Sequence, residues 1–182
     1  MRTFKTEGIV IKRRNNGEAD KFLTIFTKDF GKMQLKATGV RRIASKRSPH
    51  VELLNLVEIS FYKGKGMPVL VEAQSKKTFD YLKSDLMTIG LAYHLCELID
   101  GLCPEDELHR DIFFLFEKTL SELTSENSLE VIHGFEVELL TILGYWNSHD
   151  AFFERKDMDT QSYIETLLER RLKSRRIFSK LS

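Results

Sequence analysis

Between Ser75 and Asp80 the hydrophobic period of this chain changes from two residues to about 3.6. No single kind of element serves both periods, so the chain must divide into a β part and an α part. Upstream, Thr6 to Lys12 carries Ile9, Val10 and Ile11, and Lys21 to Thr27 carries Phe22, Leu23, Ile25 and Phe26. Lys28-Asp29-Phe30-Gly31 reads as a tight reversal, with Gly31 supplying the positive φ of a bulged hairpin loop. Lys32 to Thr38 sets Met33, Leu35 and Ala37 against Lys32, Gln34 and Lys36. Leu56 to Tyr62 alternates again, with Val57, Ile59 and Phe61 on one face. Lys63-Gly64-Lys65-Gly66 is a turn, and Pro68 to Ala73 is the return strand. Five short strands with glycine-bearing turns predict a small closed barrel over residues 1–78.

Residues 79–182 read as an all-helical domain, which makes the chain α+β in two parts. Phe79, Leu82, Leu86 and Ile89, then Leu91, Leu95 and Leu98, mark a first helix that Gly101 and Pro104 stop. Glu105-Asp106-Glu107 is expected to open the next, where acids favour the positive end of the helix dipole. Ile112, Phe113, Phe116, Leu120 and Leu123 form its apolar stripe. Ser128 is the expected cap of a third helix, which Gly144 ends. Residues 147–159 read as polar and irregular. A last helix from about Thr160 is expected to carry Tyr163, Ile164, Leu167, Leu168 and Leu172.

The net charge of +1 conceals a segregation. Residues 1–80 hold 17 basic and 8 acidic residues, a net of +9. Residues 81–168 hold 5 and 18, a net of −13, and residues 169–182 hold 6 and 1, a net of +5. A polyanion would be drawn to the first part and repelled by the second. Lys36, Arg41, Arg42, Lys46 and Arg47 lie in one stretch without an acid, and Gly39, Ser45 and Ser48-Pro49 mark that stretch as a mobile loop. Lys12-Arg13-Arg14 at the end of the first strand forms a second cluster, and Lys63 and Lys65 at a hairpin tip form a third. Three basic clusters on one small barrel suit a phosphate backbone. Phe22, Phe26, Phe30 and Phe61 fall on apolar phases and read as core. Tyr62, on the polar phase beside Lys63, is the best candidate to stack on a base. The basic tail from Arg170 to Arg176 suits a helix C-terminus, a second phosphate contact or an acidic peptide.

Catalytic patterns are lacking. Gly64-Lys65-Gly66 does not have P-loop spacing, and neither H-E-x-x-H nor G-x-S-x-G occurs. His94 and Cys96 sit about 200° apart around a helix, so with Cys103 and His109 they do not converge on a metal. Glu105, Asp106, Glu107 and Asp111 could hold a nuclease metal, but acids are ordinary in a first helical turn. No enzyme activity, metal or cofactor is expected. The longest charge-free apolar stretch, Leu86 to Cys96, falls short of the roughly 20 residues a membrane span needs, so the expected setting is cytoplasmic with no membrane partner.

Several segments together resemble the bacterial RecO family. They are Glu7-Gly8-Ile9-Val10-Ile11-Lys12-Arg13, Gly17-Glu18-Ala19-Asp20, Leu23-Thr24-Ile25-Phe26-Thr27, Gly31-Lys32 and Gly39-Val40-Arg41-Arg42, followed by Leu56 to Tyr62. Gly134 to Tyr145 resembles the family's central helix, and Leu172-Lys173-Ser174-Arg175-Arg176 its C-terminal end. The resemblance implies an OB-fold barrel followed by a helical domain. It implies a DNA repair and recombination mediator that binds single- and double-stranded DNA and anneals complementary strands. It further implies loading of RecA onto SSB-coated strands with RecR, often also RecF, and recognition of the acidic SSB tail. By that match the Arg41-Arg42 loop and the Lys12-Arg13 strand end take the DNA-contact role. Many family members carry a four-cysteine zinc finger after the Leu-Gly-Tyr motif. This chain has two cysteines in all and none from Trp146 to Thr160, so the finger is expected to be absent. From the residues alone, an OB-fold RNA-binding factor and a pure protein-docking module remain alternatives.

Overall fold

The computed structural model describes residues 2–146 and 159–178. Expectations for residues 147–158 lie outside the described residues. The chain divides into two compact units, Met1–Asp80 with Cys103–Phe113, and Tyr81–Leu102 with Phe114–Ser182.

The first unit is a closed five-stranded barrel. Its strands are β1 (Thr3–Asn16), β2 (Asp20–Thr27), β3 (Gly31–Ala37), β4 (Leu56–Tyr62) and β5 (Val69–Lys77). They run in the order β1-β2-β3-β5-β4, and β1 returns to pair with β4. All pairings are antiparallel except β3 with β5. This is the OB arrangement. Val10, Leu23, Ile25, Leu35, Val57, Ile59, Phe61 and Leu70 fill the interior. Gly31 has φ +68° and turns the β2–β3 hairpin, where Thr27 Oγ1 donates to its carbonyl at 2.8 Å.

β1 is much longer than the expected Thr6 to Lys12 and contains a bulge. Val10 pairs with Ile25 and Lys12 with Thr24, leaving Ile11 as the extra residue. One inserted residue inverts every later side chain relative to the pleat. Val10 faces the core, so without the bulge Lys12 and Arg14 would face it too. With the bulge they face outward. Because β1 runs on to Asn16, Lys12-Arg13-Arg14 lies within the strand rather than at its end.

The β3–β5 seam rests on the single bridge Lys36–Val69, with the Lys36 N–H donating to Pro68 O at 2.8 Å. Two other groups complete it. Lys32 bridges in parallel to Glu105, and the Asp106 N–H donates to Lys32 O at 2.9 Å. At the other end, Arg47 Nη2 donates to Thr38 O at 2.6 Å and Nη1 to Leu70 O at 2.9 Å. Two sequence expectations change here. Lys32, assigned to the polar face, is buried because the Cys103–Phe113 segment lies along β3. Glu105-Asp106-Glu107 precede the next helix instead of opening it, because Asp106 takes a positive φ of 57° and Glu105 is committed to the bridge.

The helical unit holds α1 (Leu86–Leu102), α3 (Ser128–Ile142), α4 (Thr160–Leu168), the short α5 (Arg175–Phe178) and the part of α2 (Arg110–Glu122) from Phe114 onward. Phe79 and Leu82 are buried as expected, but Leu86 is 86% exposed. A 3-10 turn over Asp80–Ser84 breaks the phase, and Asp85 accepts from the Thr88 N–H at 2.8 Å to start α1 anew. Ser128 is the first residue of α3, not its cap; Asn127 stands at that position and makes no side-chain cap bond. α4 stops at Leu168, where Glu169 turns left-handed, so Leu172 is buried beyond the helix rather than on it.

His94, considered above as a metal ligand, ties several segments of the helical unit together. His94 is fully buried, with Nε2 at 2.8 Å from Glu136 Oε1 and Nδ1 at 2.6 Å from Ser174 Oγ. Thr160 Oγ1 also donates to Glu136. This chain of bonds ties α1, α3, the start of α4 and the segment before α5. Cys96 and Cys103 are buried thiols whose pKa burial raises, to about 12 for Cys103. Among the described residues no group of three or more His, Cys, Asp or Glu could hold a metal. No described helix is long and apolar enough to cross a membrane.

Candidate nucleic-acid interface

Because the bulge turns Lys12 and Arg14 outward, the register lines up one residue from each strand on the outer wall. Tyr62 pairs with Val69, Val69 with Lys36, Lys36 with Phe22 and Phe22 with Arg14. Four inter-strand steps of about 4.8 Å make a row roughly 19 Å long. Tyr62, Val69, Lys36 and Phe22 are partly exposed, and Arg14 is exposed. The Arg14 guanidinium lies 5.3 Å from the Phe22 ring centre. Aromatic, aliphatic and cationic groups thus alternate along a surface open to a flat ligand.

Phe22, expected in the core, faces out. A signal was present. Phe22 and Phe26 share the phase of Thr24, while Leu23 and Ile25 are the inward pair. Of the other rings, Phe26 and Phe61 are buried, and Phe30 packs edge-on against Phe61 at 5.3 Å. Tyr62 sits at one end of the row. Gly64 lies against its ring, so close that a Cβ there would stand 2.9 Å from the phenol oxygen.

The cationic residues do not form one uniform skin. Lys12 and Arg14 are exposed near the β1–β2 hairpin, and Arg41 is held beside it: its N–H donates to Ala19 O at 2.9 Å and Nη1 to Gly17 O at 2.6 Å. Asp20 joins the loop to the row. It accepts from the Gly39 N–H at 2.8 Å and pairs with Lys36 at 3.2 Å, which hold its carboxyl below the usual range, with Arg42 adding to the effect. Lys12, Arg14, Lys36, Arg41 and Arg42 therefore gather at one end of the barrel. Lys21 stands there as well; burial chiefly, then Arg13 and Arg41, lower its pKa. Arg13 faces the barrel mouth and pairs with Glu52 at 2.5 Å.

The remaining candidates are placed elsewhere. Lys63 and Lys65 are exposed at the β4–β5 hairpin beside Tyr62, with Lys63 4.0 Å from Asp106. Lys46 lines an open cleft of about 370 Å³ on the β4–β5 wall with Lys5, His50, Glu58 and Glu72. Arg47 lines the same cleft, but its guanidinium is committed to the β3–β5 seam. The segment read as a mobile loop is thus tied down at Gly39, Arg41, Arg47 and His50, whose Nδ1 accepts from the Ser75 N–H at 3.2 Å.

Comparison with known proteins agrees with this architecture. Residues 1–79 match the family described as "Recombination protein O N terminal", and residues 83–147 the one described as "Recombination protein O C terminal". The chain is 35% identical over 143 residues to a "DNA repair protein RecO" of Dehalococcoides mccartyi, covering 78% of this chain and 56% of that protein. A protein of the same name from Acetivibrio thermocellus is 33% identical over 147 residues, covering 80% and 59%. One from Roseiflexus sp. is 31% identical over 145 residues, covering 79% and 51%. The chain spans a little over half the length of these curated relatives.

Proposed function

Because this chain belongs to the RecO family, we propose that it serves DNA repair as a non-catalytic cytoplasmic mediator that binds single- and double-stranded DNA on its barrel. The row Arg14–Phe22–Lys36, beside Arg41 and Arg42, carries the reading. The cations hold phosphates without regard to sequence, and Phe22 and Tyr62 offer faces to unstacked bases. Two strands held on such a surface repel each other less, which favours annealing without ATP. RecR, the acidic SSB tail, RecA and RecF are the partners this reading assigns, with RecA loaded onto SSB-coated DNA.

Two measurements test it. If about five phosphates of a single strand are neutralised, log K falls with log salt at a slope near −3.5. A slope near zero overturns the electrostatic reading. Annealing of complementary oligonucleotides coated with SSB should be accelerated, and less so when the SSB tail is removed. An equal affinity loss for DNA and RNA on substituting the row, with RNA preferred throughout, would favour an RNA-binding factor.

A further inference from the structure

Ile43 is the most exposed large apolar side chain among the described residues, and it is fully exposed in the most basic stretch of the barrel. Arg41 and Arg42 precede it directly and Lys46 follows three residues later. The loop around it is built as consecutive turns. The Arg42 N–H donates to Gly39 O at 3.2 Å and the Ser45 N–H to Arg42 O at 2.9 Å. Asp20 and the Gly17 and Ala19 carbonyls anchor its base, so the tip is presented rather than loose. Nothing in the folded barrel requires an isoleucine there.

We infer that Ile43 is a wedge that enters between adjacent bases of the strand whose phosphates Arg41 and Arg42 hold. This rests on the nucleic-acid reading above and deepens it. Phosphate contacts position a protein along a strand but do not open the stack. An apolar side chain placed between base steps does, and the loss of stacking is offset by burial of the side chain. The wedge stands at the Arg14–Phe22 end of the row, because Arg41 bonds the hairpin that joins β1 to β2. The base of the Ile43 loop is thereby fixed at the hairpin that leads into Arg14 and Phe22. For an annealing protein, such a wedge would keep bases exposed for pairing.

The test uses the full chain and oligonucleotides carrying 2-aminopurine, whose fluorescence rises when its neighbours unstack. The wild-type chain should raise the signal in single strands and at a duplex end. Ile43→Ser should abolish the rise and weaken binding about three- to tenfold, with the salt slope unchanged. Ile43→Leu should restore the rise. An undiminished rise in Ile43→Ser, with binding intact, overturns the wedge while leaving the DNA reading in place. Failure of the wild-type chain to bind any oligonucleotide overturns both. If Ile43→Ser keeps the fluorescence rise but loses binding to anionic phosphatidylglycerol vesicles, Ile43 contacts lipid and the wedge is overturned.

Discussion

Arg14 on β1 covers one side of the Phe22 ring on β2, guanidinium to ring centre 5.3 Å, and the two residues are direct register partners. The contact keeps an aromatic face and a cation together at the surface. A phosphate held by Arg14 would leave its base within reach of the ring. Phe22→Ala should weaken single-strand binding about tenfold, as expected for one lost stacking contact, and leave the salt slope unchanged. Arg14→Ala should reduce the slope by about 0.7 for one phosphate lost. Titrations at several salt concentrations separate the two.

Lys46 and Arg47 are neighbours in sequence with different roles. Arg47→Ala removes the donor shared by Thr38 O and Leu70 O where the β3–β5 ladder ends. The expected cost is about 1–3 kcal/mol, read as a lower midpoint in urea. Lys46→Ala should change the stability by no more than about 0.5 kcal/mol and so leave that midpoint nearly unmoved, because its side chain is exposed. Equal midpoints for the two variants would contradict the assigned role of Arg47.

Gly31 and Gly17 both have positive φ, 68° and 59°. A Cβ at Gly31 would stand 1.8 Å from the Glu107 carbonyl oxygen, whereas nothing lies within 4 Å of one at Gly17. Gly17→Ala should cost about 1 kcal/mol, from backbone conformation alone. Gly31→Ala should cost clearly more, because the Cys103–Phe113 segment must also move. Denaturant melts of the two variants compare them directly.

In the helical unit, Glu97 accepts from Arg170 Nη1 at 2.8 Å, the Lys173 and Ser174 N–H groups at 2.9 and 3.0 Å, and Ser174 Oγ at 2.8 Å. Burial alone would raise its pKa, but these donors outweigh burial and hold it at about 2, against an ordinary 4.5. The pKa is depressed in the folded state. Its stabilisation is therefore present above pH 4.5 and lost as pH falls from there toward 2. Glu97→Gln should be less stable at neutral pH and show a shallower loss of melting temperature over that acid range. A parallel pH profile for the variant would remove Glu97 from this role.

Much of the barrel was legible in the chain. β4 has the expected bounds, Leu56–Tyr62, and Gly31 turns the hairpin where its positive φ was expected. The helical stripes of α1, α2 and α3 also follow their apolar spacing, with Leu95, Phe116, Ile132 and Leu139 buried. Side-chain period is a property of the local backbone, so it is written into short stretches of sequence. The RecO resemblance was legible for a related reason, since it lies in ordered local motifs. The site was less legible. The clusters around Lys12 and Arg41 were visible as charge, but Phe22 was expected in the core, and nothing local showed that the Arg47 guanidinium would complete the β3–β5 seam.

The sequence by itself therefore determined two parts of opposite charge, the period of each element and the positions of the turns. The tertiary structure alone decided which way Lys12 and Arg14 face, because one bulge at Ile11 inverts the pleat. It alone decided that Arg47 and Glu105 complete a seam that β3 and β5 cannot close between themselves. It also decided that Arg14, Phe22 and Lys36 stand side by side. Each of these depends on pairing register between distant segments. Register is set by the packing of the whole barrel, so no local pattern can specify it.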